Sequence, residues 1–306
     1  MTRSRSLTLS ASSVGGTAAS LLDGGRVGRV EGVYSRALNV LFGHRMLCLV
    51  RPDVGRSPIN VVLDVGEGAS LDSVGVSPGM EARAEGGALV IGGGAVTVKL
   101  PPPSDAPVPR PRRLRVRRAR SNLRLLKREV LTHGNLAGLR GILSASGPAR
   151  RPTARTAPNP LGQMVRAFEA RDLAPISGAA RRLIGLGPGL TPAADDLLSG
   201  LMMSNLLTSR ALGLADGFAE RANERVLSEA EGRTTRLSRE FLAQASKGSG
   251  GEHAEGLLDA VLFGGPEDVG HAARSLFRFG ATSGTDTALG ILLGAGAALA
   301  AGGRGA

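Results

Sequence analysis

The stretch GLGPGLTPAADDLLSG, residues 185–200, leads three glycines and two prolines into paired aspartates and a leucine-rich run. Thr191 followed by Pro192 predicts a helix start, because threonine caps helices and proline suits the first helical position. The leucines that follow have the spacing of an apolar helix face. A cap explains neither the glycines before it nor Asp195 and Asp196 inside the first turns. The stretch therefore predicts a helix N-terminus that a ligand or another part of the protein approaches closely.

The pattern G-x-T-x-x-x-D of this stretch occurs a second time, in GATSGTDTALG near the C-terminus. The two copies span 189–195 and 280–286, and this alignment pairs Asp195 with Asp286. Small residues follow at Gly200 and Gly290, which predicts that another backbone packs closely there. A repeated glycine-threonine-aspartate pattern favours a functional interpretation of the first copy.

Each copy predicts a helix N-terminus with free amides, which suits an anion such as a phosphate or a carboxylate. The aspartates cannot hold an anion, but they can accept from an amide NH2 or a guanidinium, or bind a cation such as Mg2+. We predict catalytic roles for Asp195 and Asp196. The predicted substrate contacts are Gly187, Gly189, Thr191, Ser283, Gly284 and Asp286. The structural alternative is that glycines form turns and acids favour helix starts, with Ser283 and Asp286 as a plain capping box.

The fold class predicted for the whole chain is α+β with segregated halves. Residues 1–105 contain short β-branched runs separated by turn residues, which predicts a barrel or a sandwich. Residues 106–119 form a proline- and arginine-rich link, and 120–306 form a helical domain that carries the opening motif. The strand runs are RVGRVEGVYS, RMLCLVRP, SPINVVLD, ALVIGG and AVTVKL, with turns at GHR, EGGA and GGGA.

Composition excludes several classes of site. Cys48 is the single cysteine, so there is no intrachain disulfide and no cysteine-built zinc site, and it is predicted to be an inert core residue of a cytoplasmic protein. The four histidines are scattered without metal-ligand spacing. The N-terminus lacks the apolar core of a signal peptide. The apolar run ALGILLGAGAALAA is short for a membrane span and is predicted to be a buried helix, with no membrane partner.

The positive charge is concentrated in one segment. Ten of the 38 basic residues lie between Arg110 and Arg128 with no acid among them, and the rest of the chain has 28 basic against 26 acidic residues. Such a run suits phosphate backbones, but no aromatic side chain within it is available to stack on bases. We therefore favour a solvated face or a contact with an acidic partner over nucleic-acid binding.

At the opening motif the sequence resembles a known family. GLGPGLTPAADDLLSGLMM is similar to the signature of the AllH-type subunit of oxamate carbamoyltransferase, whose pattern runs close to GLGPGLTPSGDD before an apolar helix. TSGTDTALGILLG, the T-x-x-S of 235–238 and the early VYSRALNVLF extend the resemblance over most of the chain. One departure stands out: Ala193 and Ala194 replace the Ser-Gly of the family, which removes a hydroxyl and a flexible glycine.

The resemblance implies a part in purine-derived nitrogen catabolism, of the allantoin-degradation kind. There a carbamoyl group is exchanged between oxamate and phosphate by an enzyme of several subunits. Carbamoyl phosphate and oxamate are small anions with NH2 groups, which suit amide-rich helix ends and nearby carboxylates. A non-catalytic, partner-binding subunit is the alternative, favoured by the altered Ala193 and Ala194.

Overall fold

The computed structural model describes residues 6–23, 25–66, 68–101, 112–140, 142, 159–214 and 216–303. The chain divides into two compact units, Met1–Arg110 and Pro111–Ala306. The first is built on a β-sheet and the second on helices, which confirms the α+β class. The proline-rich segment PPPSDAPVPRP lies, apart from its first residue, outside the described residues.

The first unit is a closed barrel, which decides between the barrel and the sandwich. The strands follow the order β1-β5-β4-β3-β2-β6-β7-β8 around the barrel, and β1 closes it by pairing in parallel with β8. Strand β4 pairs in parallel with β5, and the other neighbours are antiparallel. The strands are β1 Leu7–Val14, β2 Val27–Val33, β3 Ala37–Phe42, β4 Arg45–Val50, β5 Asn60–Leu63, β6 Glu81–Glu85, β7 Ala88–Ile91 and β8 Val96–Lys99, with helix α1 at Gly16–Leu22.

The barrel follows from alternation of side chains between its two faces. In β6, EARAE, Ala82 and Ala84 point into the core while the charged residues stay in solvent. The predicted turns all join neighbouring strands: GHR joins β3 to β4, EGGA joins β6 to β7, and GGGA joins β7 to β8. Cys48 is buried in β4, as predicted. Strands β1, β3 and β6 were not among the predicted runs, and β6 has no β-branched residue to indicate it.

The second unit is helical throughout its described part. Its first helix begins at Val116, inside the segment predicted as a link. The structure confirms the helical character that apolar spacing predicts for this half of the chain. The helices are α2 Val116–His133, α3 Pro160–Ala170, α4 Ile176–Leu183, α5 Ala193–Ala211, α6 Phe218–Ser228, α7 Arg236–Ala245, α8 Glu252–Phe263, α9 Pro266–Phe277 and α10 Ser283–Gly302.

Helices α5 and α10 pack together in parallel at the centre of this unit, with their N-termini side by side. A β-carbon added at Gly200 would lie 2.2 Å from the Thr287 carbonyl oxygen, and one at Gly290 would lie 2.0 Å from the Leu197 carbonyl oxygen. Farther along, the Asn205 side-chain amide donates to the Gly294 carbonyl at 3.1 Å. The predicted close approach at Gly200 and Gly290 is thus the contact between these two helices.

Helix α10 is apolar because it is a core helix. Within the described residues it is the one helix long and apolar enough to cross a membrane, but 67% of the relevant window is buried. It packs against α2, α3, α5 and α9. The run ALGILLGAGAALAA is therefore the buried helix that its length predicts.

Candidate functional site

The glycine loop before α5 has a backbone that only glycine adopts readily. Gly187 and Gly189 have φ angles of 110° and 105°, and a β-carbon at Gly187 would lie 2.8 Å from the Ala193 amide nitrogen. The helix starts one residue later than predicted, because Pro192 is the cap and makes no side-chain capping bond. Thr191 was therefore wrongly predicted as the cap. Its hydroxyl turns inward instead.

Asp195 holds the two ends of this loop region together. One carboxylate oxygen accepts from the Gly185 amide at 2.8 Å, and the other accepts from the Thr234 hydroxyl. The side chain is 1% exposed, and burial raises its pKa, although the bonds from Thr234 and Gly185 act in the opposite direction. Both carboxylate oxygens are engaged, so Asp195 serves the shape of the loop.

Asp196 lies at the junction between the two core helices. Its carboxylate accepts from the Thr191 hydroxyl at 3.0 Å, and the same hydroxyl lies 3.1 Å from that of Ser283 on α10. Burial raises the pKa of Asp196 well above its usual range, against the hydroxyls of Ser283 and Thr191, and Asp286 and Asp195 raise it further. The two motif copies are thus joined through one pair of hydroxyls.

Asp286 is the most isolated of the three carboxyls. It is 0% exposed, and neither oxygen has a hydrogen-bond partner among the described residues. Burial raises its pKa to about 7; the Thr282 hydroxyl acts in the opposite direction but lies outside hydrogen-bonding geometry. The predicted capping box of Ser283 and Asp286 is wrong, because Thr282 is the cap and no side chain caps α10.

The structure pairs the two motif copies one residue away from the predicted alignment. Helices α5 and α10 begin at Ala193 and Ser283, and the reciprocal glycine contacts at Gly200 and Gly290 keep the same spacing. Asp196 therefore corresponds to Asp286, and the prediction that paired Asp195 with Asp286 is wrong. Ala193 corresponds to Ser283, so one helix end carries a hydroxyl that the other lacks.

A short segment between α2 and α3 covers the Asp286 carboxyl. The Asn135 amide donates to the Thr285 hydroxyl at 3.0 Å, and its side-chain NH2 donates to the Ala281 carbonyl at 2.9 Å. A β-carbon at Gly138 would lie 2.7 Å from the Thr282 hydroxyl and 2.9 Å from an Asp286 carboxylate oxygen. The 3-10 turn Leu136–Leu139 thus lies directly against Asp286.

The other predicted contacts divide between the loop and the packing. Gly187 and Gly189 are exposed on the loop, and Thr191 and Ser283 are half-buried above the carboxyls. Gly284 is buried, and a β-carbon there would lie 1.9 Å from the Leu276 carbonyl oxygen. Helix packing therefore accounts for this glycine by itself.

The described residues of this region form no metal cluster. No group of three or more His, Cys, Asp or Glu side chains in the described part of the chain is arranged to hold a metal ion. A cavity of about 660 Å³ lies elsewhere, between α2 and α9, and is lined by Glu129, Glu267, His271 and Arg274 among others. The helix ends combine exposed and half-buried loop residues with buried acids.

Two family models match the chain. Residues 183–295 match the oxamate carbamoyltransferase subunit AllH, and residues 9–107 match the AllH family N-terminal domain. The chain belongs to the AllH family. No solved structure matches it. The first match includes both helix ends of the site, and the second covers the barrel.

Sequence reasoning missed three residues that contribute to this AllH family site. Thr235 caps α7, and the preceding residue, Thr234, donates a hydrogen bond from its hydroxyl to Asp195. Asn135 and Gly138 were not considered at all, because they lie about 150 residues before α10 and follow no recognisable motif. An Asn-x-x-Gly at the end of a helix indicates a turn, but nothing in it indicates which carboxyl the turn contacts.

Proposed function

We propose that this AllH family chain is the subunit of a carbamoyltransferase that binds small anionic amides and exchanges a carbamoyl group between oxamate and phosphate. The observation that carries the proposal is the pair of parallel helix N-termini with three buried aspartates beneath them. Helix N-termini bind anions through free amides and a positive dipole end. Carboxyls beside them supply acceptors for NH2 groups, which such substrates also carry.

The α5 loop supports the anion-binding half of this proposal. Five consecutive or near-consecutive amides along it donate to no group in the described residues. They belong to Gly187, Gly189, Leu190, Thr191 and Ala193. Several converging amides are a usual way to hold a phosphate or carboxylate without a cation.

The chemistry of such a transfer rests on placement. Oriented donors at a developing oxyanion and a fixed approach of the two reactants account for most of the acceleration expected here. Of the two predicted catalytic residues, Asp196 suits contact with a substrate NH2 better than Asp195, whose oxygens both hold the loop. A place in purine-derived nitrogen catabolism and a cytoplasmic location belong to the same proposal.

Thermal unfolding of the purified chain with carbamoyl phosphate, oxamate or phosphate, with and without Mg2+, tests the proposal. A ligand that binds only the native state raises the melting temperature. We expect a rise with each anion. The rise with phosphate and with carbamoyl phosphate is expected to disappear in the Asp195→Ala, Asp196→Ala double variant and to persist in Asp64→Ala, an exposed aspartate of the barrel. An unchanged melting temperature with all three anions contradicts the proposal.

A partner-binding role has its own supporting observation. On the exposed side of α2 and the residues just before it, Arg113, Arg115 and Arg117 have no carboxylate partner in the described chain. Unpaired cations in a row suit an acidic surface of another transferase subunit. Replacing all three by Glu is expected to abolish co-elution with such a subunit at low salt and to leave anion-induced stabilisation unchanged. Co-elution that persists in this triple variant contradicts a role of these arginines in binding another subunit.

A further inference from the structure

We propose that the N-terminus of α10 is a second subsite, in which Asp286 accepts the N–H groups of an amide-bearing carboxylate while the turn Leu136–Leu139 closes over it. The inference rests on the proposed function and divides its site into two. The α5 loop then holds the phosphate-bearing reactant, and the α10 end holds the reactant with a primary amide next to a carboxylate.

The first argument is the division of hydrogen-bonding capacity between the two helix ends. The α5 end offers amide donors, and its two aspartates already accept hydrogen bonds from Gly185, Thr234 and Thr191. The α10 end has a carboxyl that is fully buried and has no partner in the described chain. A buried carboxyl without a donor is costly, so such groups have a ligand, a water or a functional reason. An NH2 group supplies what is missing.

The second argument is that the first residues of the two helices differ, since one has a hydroxyl and the other does not. In the α5 half, Asp196 meets a hydroxyl pair in which Ser283 is one member. In the α10 half, the position equivalent to Ser283 is Ala193. A β-carbon added at Gly138 would lie 3.0 Å from the Ala193 methyl carbon and 2.9 Å from an Asp286 carboxylate oxygen. Because alanine cannot donate, Asp286 keeps both acceptors free for a ligand.

The third argument concerns the cover. The backbone and side chain of Asn135 make the two hydrogen bonds that tie this turn to α10, and Leu139 at its other end is fully buried. Asn135 and Ala137 are exposed. One of these bonds is exposed and the other is part-buried, so breaking both while Leu139 stays anchored would open Asp286 from one side. Solvent-exposed hydrogen bonds with little buried apolar area mark the segments that open most readily.

The two subsites together arrange a complete transfer. The amide nitrogen of the bound carboxylate attacks the carbonyl carbon of carbamoyl phosphate, and a C–N bond forms. The C–O bond to phosphate breaks, and phosphate leaves with that electron pair. The proton lost by the amide nitrogen passes to the Asp286 carboxylate. Adjacent helix ends, joined by the 3.1 Å contact between Thr191 and Ser283, bring the two reactants together.

Calorimetric titration of the wild-type chain and of Asp286→Asn with phosphate and with oxamate tests the second subsite. We expect oxamate binding to weaken at least tenfold in Asp286→Asn, because the carboxamide offers one acceptor where the carboxylate offers two. Phosphate binding is expected to stay within twofold. Gly138→Ala, which pushes the turn off Asp286, is expected to change the affinity for oxamate but not for phosphate. Gly256→Ala is the matched control, since a β-carbon there meets nothing within 4 Å.

The outcomes separate the two proposals. Oxamate binding that is unchanged in Asp286→Asn overturns the second subsite and leaves the proposed function standing. An equal loss of oxamate and phosphate binding in a variant that still unfolds cooperatively also overturns it, because that result indicates one shared site. No binding of either anion to the wild type overturns the proposed function, and the subsite with it. If Asp286→Asn does not fold, the selective effect of Gly138→Ala decides.

Discussion

Replacing Asp286 by Asn is expected to make the stability of the protein, relative to that of the wild type, higher at alkaline pH than at acidic pH. The wild-type carboxyl is fully buried without a hydrogen-bond donor in the described residues, and its pKa is raised from 3.8 to about 7. The neutral form is therefore favoured by folding. As the pH rises from about 4 through 7, the unfolded chain loses this proton more readily than the folded one, so the wild type loses stability.

The size of the effect follows from the same shift. One pKa unit corresponds to about 1.4 kcal/mol, so a rise from 3.8 to about 7 corresponds to at most roughly 4 kcal/mol in the free energy of unfolding. The carboxamide leaves its own NH2 to be satisfied, at roughly 1–3 kcal/mol. This second contribution does not vary with pH. The difference in stability between variant and wild type is thus expected to rise by a few kcal/mol from pH 4 to pH 8 and to be flat above it.

Urea unfolding of both proteins at pH 4.5, 6, 7 and 8.5, followed by far-UV circular dichroism, measures this difference. Comparison at each pH cancels the titration of Asp195 and Asp196, which are present in both proteins, apart from their coupling to Asp286. A difference that stays constant over this range refutes the reasoning, because it means that the Asp286 carboxyl titrates alike in the folded and unfolded chains.

Three further changes test the surroundings of this carboxyl. Asp195→Ala removes the acceptor for the Gly185 amide and the Thr234 hydroxyl. The variant is expected to lower the free energy of unfolding by roughly 2–3 kcal/mol and to weaken phosphate binding. Full phosphate affinity in the variant contradicts the role of Asp195 in holding the loop. Gly200→Ala places a methyl group 2.2 Å from the Thr287 carbonyl and is expected to destabilise the chain by about 3 kcal/mol or more in chemical unfolding, whereas Gly256→Ala should have no such cost. Ala193→Ser introduces a hydroxyl near Asp286 and is expected to lower the pKa of that carboxyl. The pH dependence of stability is then expected to become shallower. An unchanged dependence shows that the new hydroxyl does not reach the Asp286 carboxyl.

The architecture was predictable where the signal is periodic. Apolar residues three and four apart indicated the helical half of the chain, and β-branched runs between turn residues located five strands. Closure into a barrel was not predictable, because it depends on β1 pairing with β8 across the length of the unit. Strand β6 was missed because alanine fills the interior positions that valine or isoleucine usually fills.

The sequence indicated which residues lie at the two helix ends, but not which aspartates of the two motif copies correspond. The repeated motif indicated two helix ends, and Gly200 and Gly290 indicated close packing, which the helix contact confirms. The alignment of the two motif copies was not predictable. The shared threonine suggested one alignment, whereas the first residues of the two helices give another that differs by one residue. A helix turns about 100° per residue, so that difference selects which aspartate faces α10. No local pattern contains this information.

Parallel packing of α5 and α10 places two positive helix ends side by side, each equivalent to roughly half an elementary charge. The pKa values of the aspartates beneath them are nevertheless raised, because burial disfavours the charged form. The unliganded site therefore keeps a proton on Asp286, which at pH 6 is about nine-tenths protonated if its pKa is about 7. An amide ligand that donates N–H groups needs the ionised form and must displace this proton.

Binding of oxamate is thus expected to release close to one proton at pH 6 and much less at pH 8.5. The number follows from titrations in buffers that differ in ionisation enthalpy, since the observed heat changes in proportion to the protons released. Among the described residues, Asp196 also interacts electrostatically with Asp286, so Asp286→Asn is the control that assigns the proton. Equal release at both pH values, or release that persists in that variant, contradicts a carboxyl that exchanges its proton for a ligand amide. Phosphate, which brings no N–H donor, is expected to displace no proton from Asp286.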